Sequence, residues 1–153
     1  MPTPFDALKN LTNACQATPT LVTGGQPDAQ QLAAFKAAGG KVVLDIRDPM
    51  EPRPFPEPSE AARLGLEYVN IPVTAGQVDD AVLERILDVV RTHKDDPMLF
   101  HCGSGNRVGG ALIPYFMLDL GMEEEDAITL AMRVGLRSPE MMQWGLGYVA
   151  SHG

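Results

Sequence analysis

Apolar positions along this chain follow two different periods. Residues 41–47 (KVVLDIR) form an apolar run that is β-branched at Val42, Val43 and Ile46. A run of that length and branching predicts a buried strand. Residues 66–73 (LEYVNIPV) and 98–101 (MLFH) predict two more, and residues 21–23 a shorter one before the turn Gly24-Gly25-Gln26-Pro27. Between these runs the period lengthens to that of helices. Residues 78–93 put Val82, Ile86, Val89 and Val90 on one face, with Asp79 and Asp80 at the positive N-terminal end. Pro27 and Asp28 open a helix that Gly39 and Gly40 close. Residues 3–17 predict a weakly amphipathic helix and residues 59–64 a short one. Five prolines between Pro49 and Pro58 make that stretch a stiff loop. Residues 107–120 are apolar nearly all round, which predicts a buried helix. Pro114 within it predicts a kink or an unpaired Gly110 carbonyl. Residues 123–134 and 139–151 predict two last helices, the second capped by Ser138; Met141, Met142 and Trp144 read as its core face.

Strands alternating with helices predict an α/β fold with a largely parallel central sheet flanked by helices, and extra C-terminal helices on one face. The chain's 153 residues suit a single domain spanning 1–153. In such sheets ligands bind beyond the carboxyl ends of the strands. Three loops then matter: those after Arg47, after Val73 and after His101.

Charge and cysteine content narrow the function classes. The formal net charge is −8, and the 12 Lys and Arg residues form no stripe, which argues against nucleic acid as the partner. No run approaches the ~18 apolar residues of a membrane span. Residues 1–10 lack the pattern of a secretory signal. The two cysteines, Cys15 and Cys102, lack zinc-ligand spacing, so neither a metal nor another cofactor is expected, and a reducing cytoplasm is the expected compartment.

The third loop carries the chemistry: strand, then His101-Cys102-Gly103-Ser104-Gly105-Asn106-Arg107, then helix. A cysteine between a strand end and a helix start sits where first-turn amides and the helix dipole favour the thiolate, the nucleophilic form. Gly103 and Gly105 let backbone N–H groups turn towards an anion, and Arg107 adds a planar charged fork. Together they predict an oxyanion cradle with Cys102 at its base. Cys15 reads as structural. Arg47 ends its strand and is either a second positive charge beside the cradle or the partner of Asp45 or Asp48. His101 either orients the loop through its ring or is a satisfied core histidine.

His-Cys followed by a short Gly-rich turn and Arg resembles the signature loop of cysteine-dependent phosphatases. Gly24-Gly25-Gln26-Pro27, Val43 to Arg47, Glu67 to Gly76 and the Cys102 loop resemble, in order, motifs of the bacterial beta-lactamase-hydrolase-like phosphatase domain family, also described as sulfurtransferase-like on a dual-specificity-phosphatase fold. The likeness covers about residues 21–135. It implies Cys102 as nucleophile, backbone amides of Gly103, Ser104, Gly105 and Asn106 as oxyanion donors, and Arg107 as transition-state stabiliser. It implies as substrate a small phosphorylated molecule or a phosphoprotein.

Three departures from an ordinary tyrosine or dual-specificity phosphatase stand out. Four residues separate Cys102 and Arg107 where those enzymes have five, a gap that rhodanese-type sulfurtransferases share. Val108 stands where they carry Ser or Thr. Thr74-Ala75-Gly76-Gln77 occupies the loop where their general-acid Asp is expected. Asp48, ahead of Glu51, is the expected replacement acid, while Asp79 and Asp80 read as helix-start acids. Two rival readings follow: sulfur transfer through a Cys102 persulfide, and an oxyanion-binding module with little turnover.

Overall fold

The computed structural model describes residues 2–74 and 76–153; Met1, and Ala75 of the loop expected to lack its acid, lie outside the described residues. Five strands form one sheet: β1 (Cys15–Gln16), β2 (Leu21–Gly24), β3 (Val42–Asp45), β4 (Glu67–Asn70) and β5 (Met98–His101), in the order β1-β2-β5-β3-β4. The last four are mutually parallel, and β1 adds an antiparallel edge to β2. The central strands β2, β5 and β3 are buried on both faces, as their apolar runs predict, while β4 at the sheet edge is only partly covered. Val22, Val43 and Leu99 face one helical layer, made of α1 (Pro4–Ala7), α2 (Ala29–Ala37) and α3 (Glu57–Arg63). Leu21, Val42, Leu44, Met98 and Phe100 face the other, made of α4 (Asp80–Thr92), α5 (Asn106–Pro114), α6 (Glu124–Val134) and α7 (Pro139–His152). The C-terminal helices thus gather on one face, as expected.

The parallel register decides where the site lies. Gly24 pairs with His101, His101 with Asp45, and Asp45 with Asn70. The four strands therefore end in one row, and their following loops leave from a single edge. Extended bonding runs slightly past the row: Ile46 N–H donates to the His101 carbonyl at 3.1 Å, and Val73 N–H to the Ile46 carbonyl at 3.0 Å.

Three elements differ from the sequence expectation. Residues 3–17 are not one helix. The capping box of Thr3 and Asp6 starts α1, but the helix stops at Ala7; turns follow, and Asn13, with a left-handed φ of 53°, lies in the last of them before β1. Cys15 therefore lies on an edge strand, with burial raising its thiol pKa. The third helix starts at Glu57, so Pro58 sits in its first turn, where the missing N–H costs nothing. Pro114 ends α5, and the chain continues through a wider turn, Tyr115–Asp119, in which Leu120 N–H reaches back to the Tyr115 carbonyl at 3.1 Å. Such a turn is a known answer to a lost ladder bond. The Gly110 carbonyl, expected to lose its partner, lies against Gly145 of α7, whose Cα hydrogens are weak donors.

That contact shows how α5 is held. A Cβ on Gly110 would lie 2.5 Å from the Met141 carbonyl oxygen, and one on Gly109 2.8 Å from that of Ala131. Backbone meets backbone at both points, so neither neighbour can yield cheaply. Gly110→Ala is expected to lower stability by about 1–3 kcal/mol, read as a fall in the urea midpoint with unchanged m-value.

Candidate active site

Cys102 follows β5 directly and is 1% exposed. Its N–H donates to the Gly24 carbonyl at 3.3 Å, which anchors the loop to β2. Gly105 N–H donates to Cys102 Sγ at 3.1 Å. Gly105 makes this possible with a φ of 101°, and a Cβ there would collide with the Val134 carbonyl. Among the described residues, no acceptor is bonded to the amides of Gly103, Ser104, Asn106 or Arg107. Asp28, Asp79 and Ser138 each cap a helix with a side chain; α5 starts at Gly105 with no such cap. The helix start beside the thiol thus keeps its donors open.

The neighbouring loops hold this turn from behind. Gln26 N–H donates to the Gly103 carbonyl at 3.1 Å, and Gly25 packs so closely that a Cβ would lie 2.5 Å from the same oxygen. Asn13 Nδ2 donates to the Ser104 carbonyl at 2.7 Å. The Asn106 side chain is directed away from the cradle: its Oδ1 accepts from Arg137 N–H at 2.7 Å and Ser138 N–H at 3.1 Å. It fastens the α6–α7 loop and leaves only its backbone amide to the cradle.

Arg107 is held by one edge. Nη1 and Nη2 donate to Glu51 Oε2 and Oε1 at 2.8 and 3.0 Å, and Nη1 also donates to the Val73 carbonyl at 3.1 Å. Among the described residues no carboxylate or carbonyl accepts from Nε. The fork is therefore oriented by Glu51 while its other edge stays available beside Cys102. The Glu51 hydrogen bond raises the Arg107 pKa further, and the nearby Cys102 adds to the rise. Reciprocally, Arg107, then the Asp48 amide and Arg47, hold the Glu51 carboxyl down at about 2 against the opposing effect of burial.

Arg47 stands behind Glu51 and not in the cradle. Its Nε donates to Glu51 at 3.1 Å, Nη1 to Gln26 Oε1 at 2.6 Å, and Nη2 to the Pro52 carbonyl at 3.0 Å. Asp45 and Asp48, the partners expected from sequence, do not take its side chain; Asp45 accepts from its backbone N–H. Asp48 is half-buried at the rim. Its Oδ1 accepts from Met50 N–H at 2.9 Å and its Oδ2 from the Thr74 hydroxyl at 3.2 Å. Asp48 therefore reaches the loop in which the usual acid is missing.

On the α3 side of the sheet edge lies a buried charged cluster. His101 is fully buried, with Nε2 at 2.6 Å from Glu57 Oε2 and Nδ1 at 3.2 Å from the Cys102 carbonyl oxygen. Asp45, also fully buried, accepts from Arg53 Nη2 at 2.5 Å and from the Tyr68 hydroxyl at 2.6 Å. Burial and the bond to Asp45 push the Tyr68 phenol up, so it remains a donor. Among the described residues, Arg53 Nε is buried without a hydrogen-bond partner, 4.0 Å from Glu57 Oε1. Asp45, Glu57 and His101 are close enough together to bracket a metal ion. Their oxygens already take donors from Arg53, Tyr68, Gln26 and the ring, so the donor set does not fit one. Of this cluster the sequence pattern singled out only His101 as a site residue. Glu57 had one visible signal, a carboxylate between Pro56 and Pro58 in a segment too stiff to be mere spacer.

The Glu51 pair makes a pH prediction. A carboxylate whose pKa is depressed by folding contributes stability above its unfolded value, and that contribution is lost as pH falls towards about 2. The stability difference between wild type and Glu51→Gln should be full at pH 6 and vanish near pH 2 in chemical denaturation.

Comparison with known proteins places the chain in a family. A family model described as a DSP-PTPase phosphatase fused to NAD+ kinase matches residues 7–143, further in both directions than the sequence motifs reach. The dual specificity protein phosphatase TpbA of Pseudomonas aeruginosa is 28% identical over 142 residues, which span 90% of this chain and 61% of that protein. A beta-lactamase hydrolase-like protein of Xylella fastidiosa is 25% identical over 131 residues, spanning 81% of this chain and 30% of that one. The chain thus covers about three fifths or less of these relatives. Among solved structures, a DUF442 phosphatase-group protein of Shewanella putrefaciens superimposes with a TM-score of 0.81 at 22% identity, over 97% of this chain and 99% of the other. The model covers most of the sequence, and the chain belongs to the DSP-PTPase phosphatase family.

Proposed function

We propose that the protein hydrolyses phosphate monoesters through a phosphocysteine at Cys102. The observation that carries this reading is a buried thiol that accepts the Gly105 N–H, in a loop where, among the described residues, the amides of Gly103, Ser104, Asn106 and Arg107 and the Nε of Arg107 have no acceptor. The dianionic phosphoryl group lies in that cradle, its oxygens taken by the amides of Gly103, Ser104, Asn106 and Arg107 and by the guanidinium. The Cys102 thiolate attacks phosphorus, the P–S bond forms, and the bond to the leaving oxygen breaks. Asp48 gives its proton to that oxygen. In the second step Asp48 takes a proton from water, which attacks phosphorus and releases phosphate and the thiolate. Glu51 is unsuited to the acid role, since Arg107 holds its carboxyl ionised. Val108 is buried in the core and offers no hydroxyl to the departing sulfur; the Gly105 N–H supports that charge instead.

A small phosphorylated molecule or a phosphoprotein fits this cradle. A cysteine-to-serine variant of TpbA was solved with phosphotyrosine, which supports an aryl phosphate as first probe. Dependence on a free thiolate suits a reducing, cytoplasmic setting. Among the described residues no helix is long and apolar enough to cross a membrane.

Cys102→Ser is expected to abolish phosphate release from p-nitrophenyl phosphate. Asp48→Asn should lower kcat by about 10²–10⁴ on alkyl phosphates and much less on p-nitrophenyl phosphate, whose leaving group needs no proton. Thiocyanate production from thiosulfate and cyanide that depends on Cys102, without phosphate release, would assign the four-residue loop to sulfur transfer.

A further inference from the structure

The buried cluster behind the cradle and the pair that orients Arg107 are connected. His101 Nε2 meets Glu57 Oε2 at 2.6 Å, and Gln26 Nε2 donates to Glu57 Oε1 at 2.7 Å. Arg47 Nη1 donates to Gln26 Oε1 at 2.6 Å, and Arg47 Nε to Glu51 Oε1 at 3.1 Å. Arg107 Nη2 closes the path on the same Glu51 oxygen at 3.0 Å. The path starts at the residue before the nucleophile and ends at the last residue of the loop.

We propose that Gln26 is a positioning residue that ties the two ends of the Cys102 loop into one unit, so that the reactivity of the thiolate and the aim of Arg107 are set together. Its amide suits the place by polarity. On one side stands a carboxylate, which needs a donor; on the other a guanidinium, which needs an acceptor. A neutral amide offers both and separates Glu57 from the Arg47–Glu51 pair. A carboxylic acid side chain would serve Arg47 but set a second negative charge against Glu57. An apolar side chain would leave Arg47 Nη1 and Glu57 Oε1 without these partners, while Arg47 would keep Glu51 and Pro52 and Glu57 would keep His101. The same residue holds the middle of the loop, since its N–H donates to the Gly103 carbonyl at 3.1 Å and survives any side-chain substitution except proline. Gln26 touches no reacting atom, so its influence runs through His101 and Arg107.

The inference rests on Cys102 as nucleophile, and its test needs no turnover. In a Cys15→Ala background, iodoacetate alkylation of Cys102 at pH 6.5 reads thiolate reactivity. Protection by inorganic phosphate reads the affinity of the cradle. Gln26→Met removes the links to Glu57 and Arg47, along with the Nε2 bond to the Pro27 carbonyl: the alkylation rate should fall and the phosphate Kd rise, each about tenfold or more. Gln26→Glu keeps the acceptor for Arg47 and loses the donor to Glu57. It should lower the alkylation rate by a similar factor while the phosphate Kd moves less than threefold. That split between the two readouts is one that general loosening of the fold would not produce. Both readouts are taken at a temperature where far-UV circular dichroism shows each variant folded. Wild-type alkylation and phosphate affinity in Gln26→Met would overturn the proposal, as would equal losses in both readouts for Gln26→Glu. An absence of phosphatase turnover in the wild type, with these shifts present, would overturn the phosphatase reading and leave Gln26 in its role.

Discussion

The common ending of four parallel strands is the constraint on which the site depends. Gly24, His101, Asp45 and Asn70 lie side by side, so each strand releases its loop at the same level. The loop after β2 then reaches the Gly103 carbonyl, the loop after β3 supplies Glu51 for Arg107, and the Val73 carbonyl past β4 takes a second bond from that arginine. A one-residue slip of β3 would turn Asp45 to the other face and draw Glu51 away from the fork. The glycine contacts of α5 with α6 and α7 serve the same end, since α5 carries Arg107 and the open amides.

The charge distribution resolves an apparent conflict. A protein of net charge −8 is a poor host for a polyanion, yet the family's chemistry requires an anion to bind. Positive character there is local and mostly not from side chains: amides before and at the start of α5 that have no acceptor among the described residues, plus one edge of Arg107. The acids nearby hold the cationic groups in place and are themselves held. Glu51 is bracketed by Arg107 and Arg47, Asp45 by Arg53 and Tyr68, and Glu57 by His101 and Gln26. Buried charges of this kind are costly unless fully paired, which is why they come as a connected set. The prolines between Pro49 and Pro58 fit this picture, because a stiff loop gives up little entropy in presenting Glu51, Arg53 and Glu57 at fixed positions.

The departures of the loop from ordinary phosphatases also find physical counterparts. With four residues between Cys102 and Arg107, the turn closes tightly enough for Gly105 N–H to rest on the sulfur. The loop after β4 lacks its acid, and Asp48 from the loop after β3 reaches Thr74 there. The loops after β3 and β4 thus meet beside the Cys102 loop on one sheet edge.

Local pattern was enough for most of the fold. Short apolar runs marked the four parallel strands, β-branched most clearly in β3, and helix-start residues Asp28, Asp79 and Ser138 marked helices, because burial and capping are short-range demands. The Cys102 loop was legible for the same reason: nucleophile, glycines and arginine fall within six consecutive residues. Residues 3–17 misled because their apolar stripe is too weak to carry a helix beyond Ala7, and β1 exists only through pairing with β2. Glu51 looked like one loop acid among several, and its role appeared only when β3 and β5 were set in register. Gln26 and Glu57 are 31 positions apart, and Glu57 and His101 are 44 apart. No periodicity links such residues, and only the packing of three loops on one sheet edge decides that they meet.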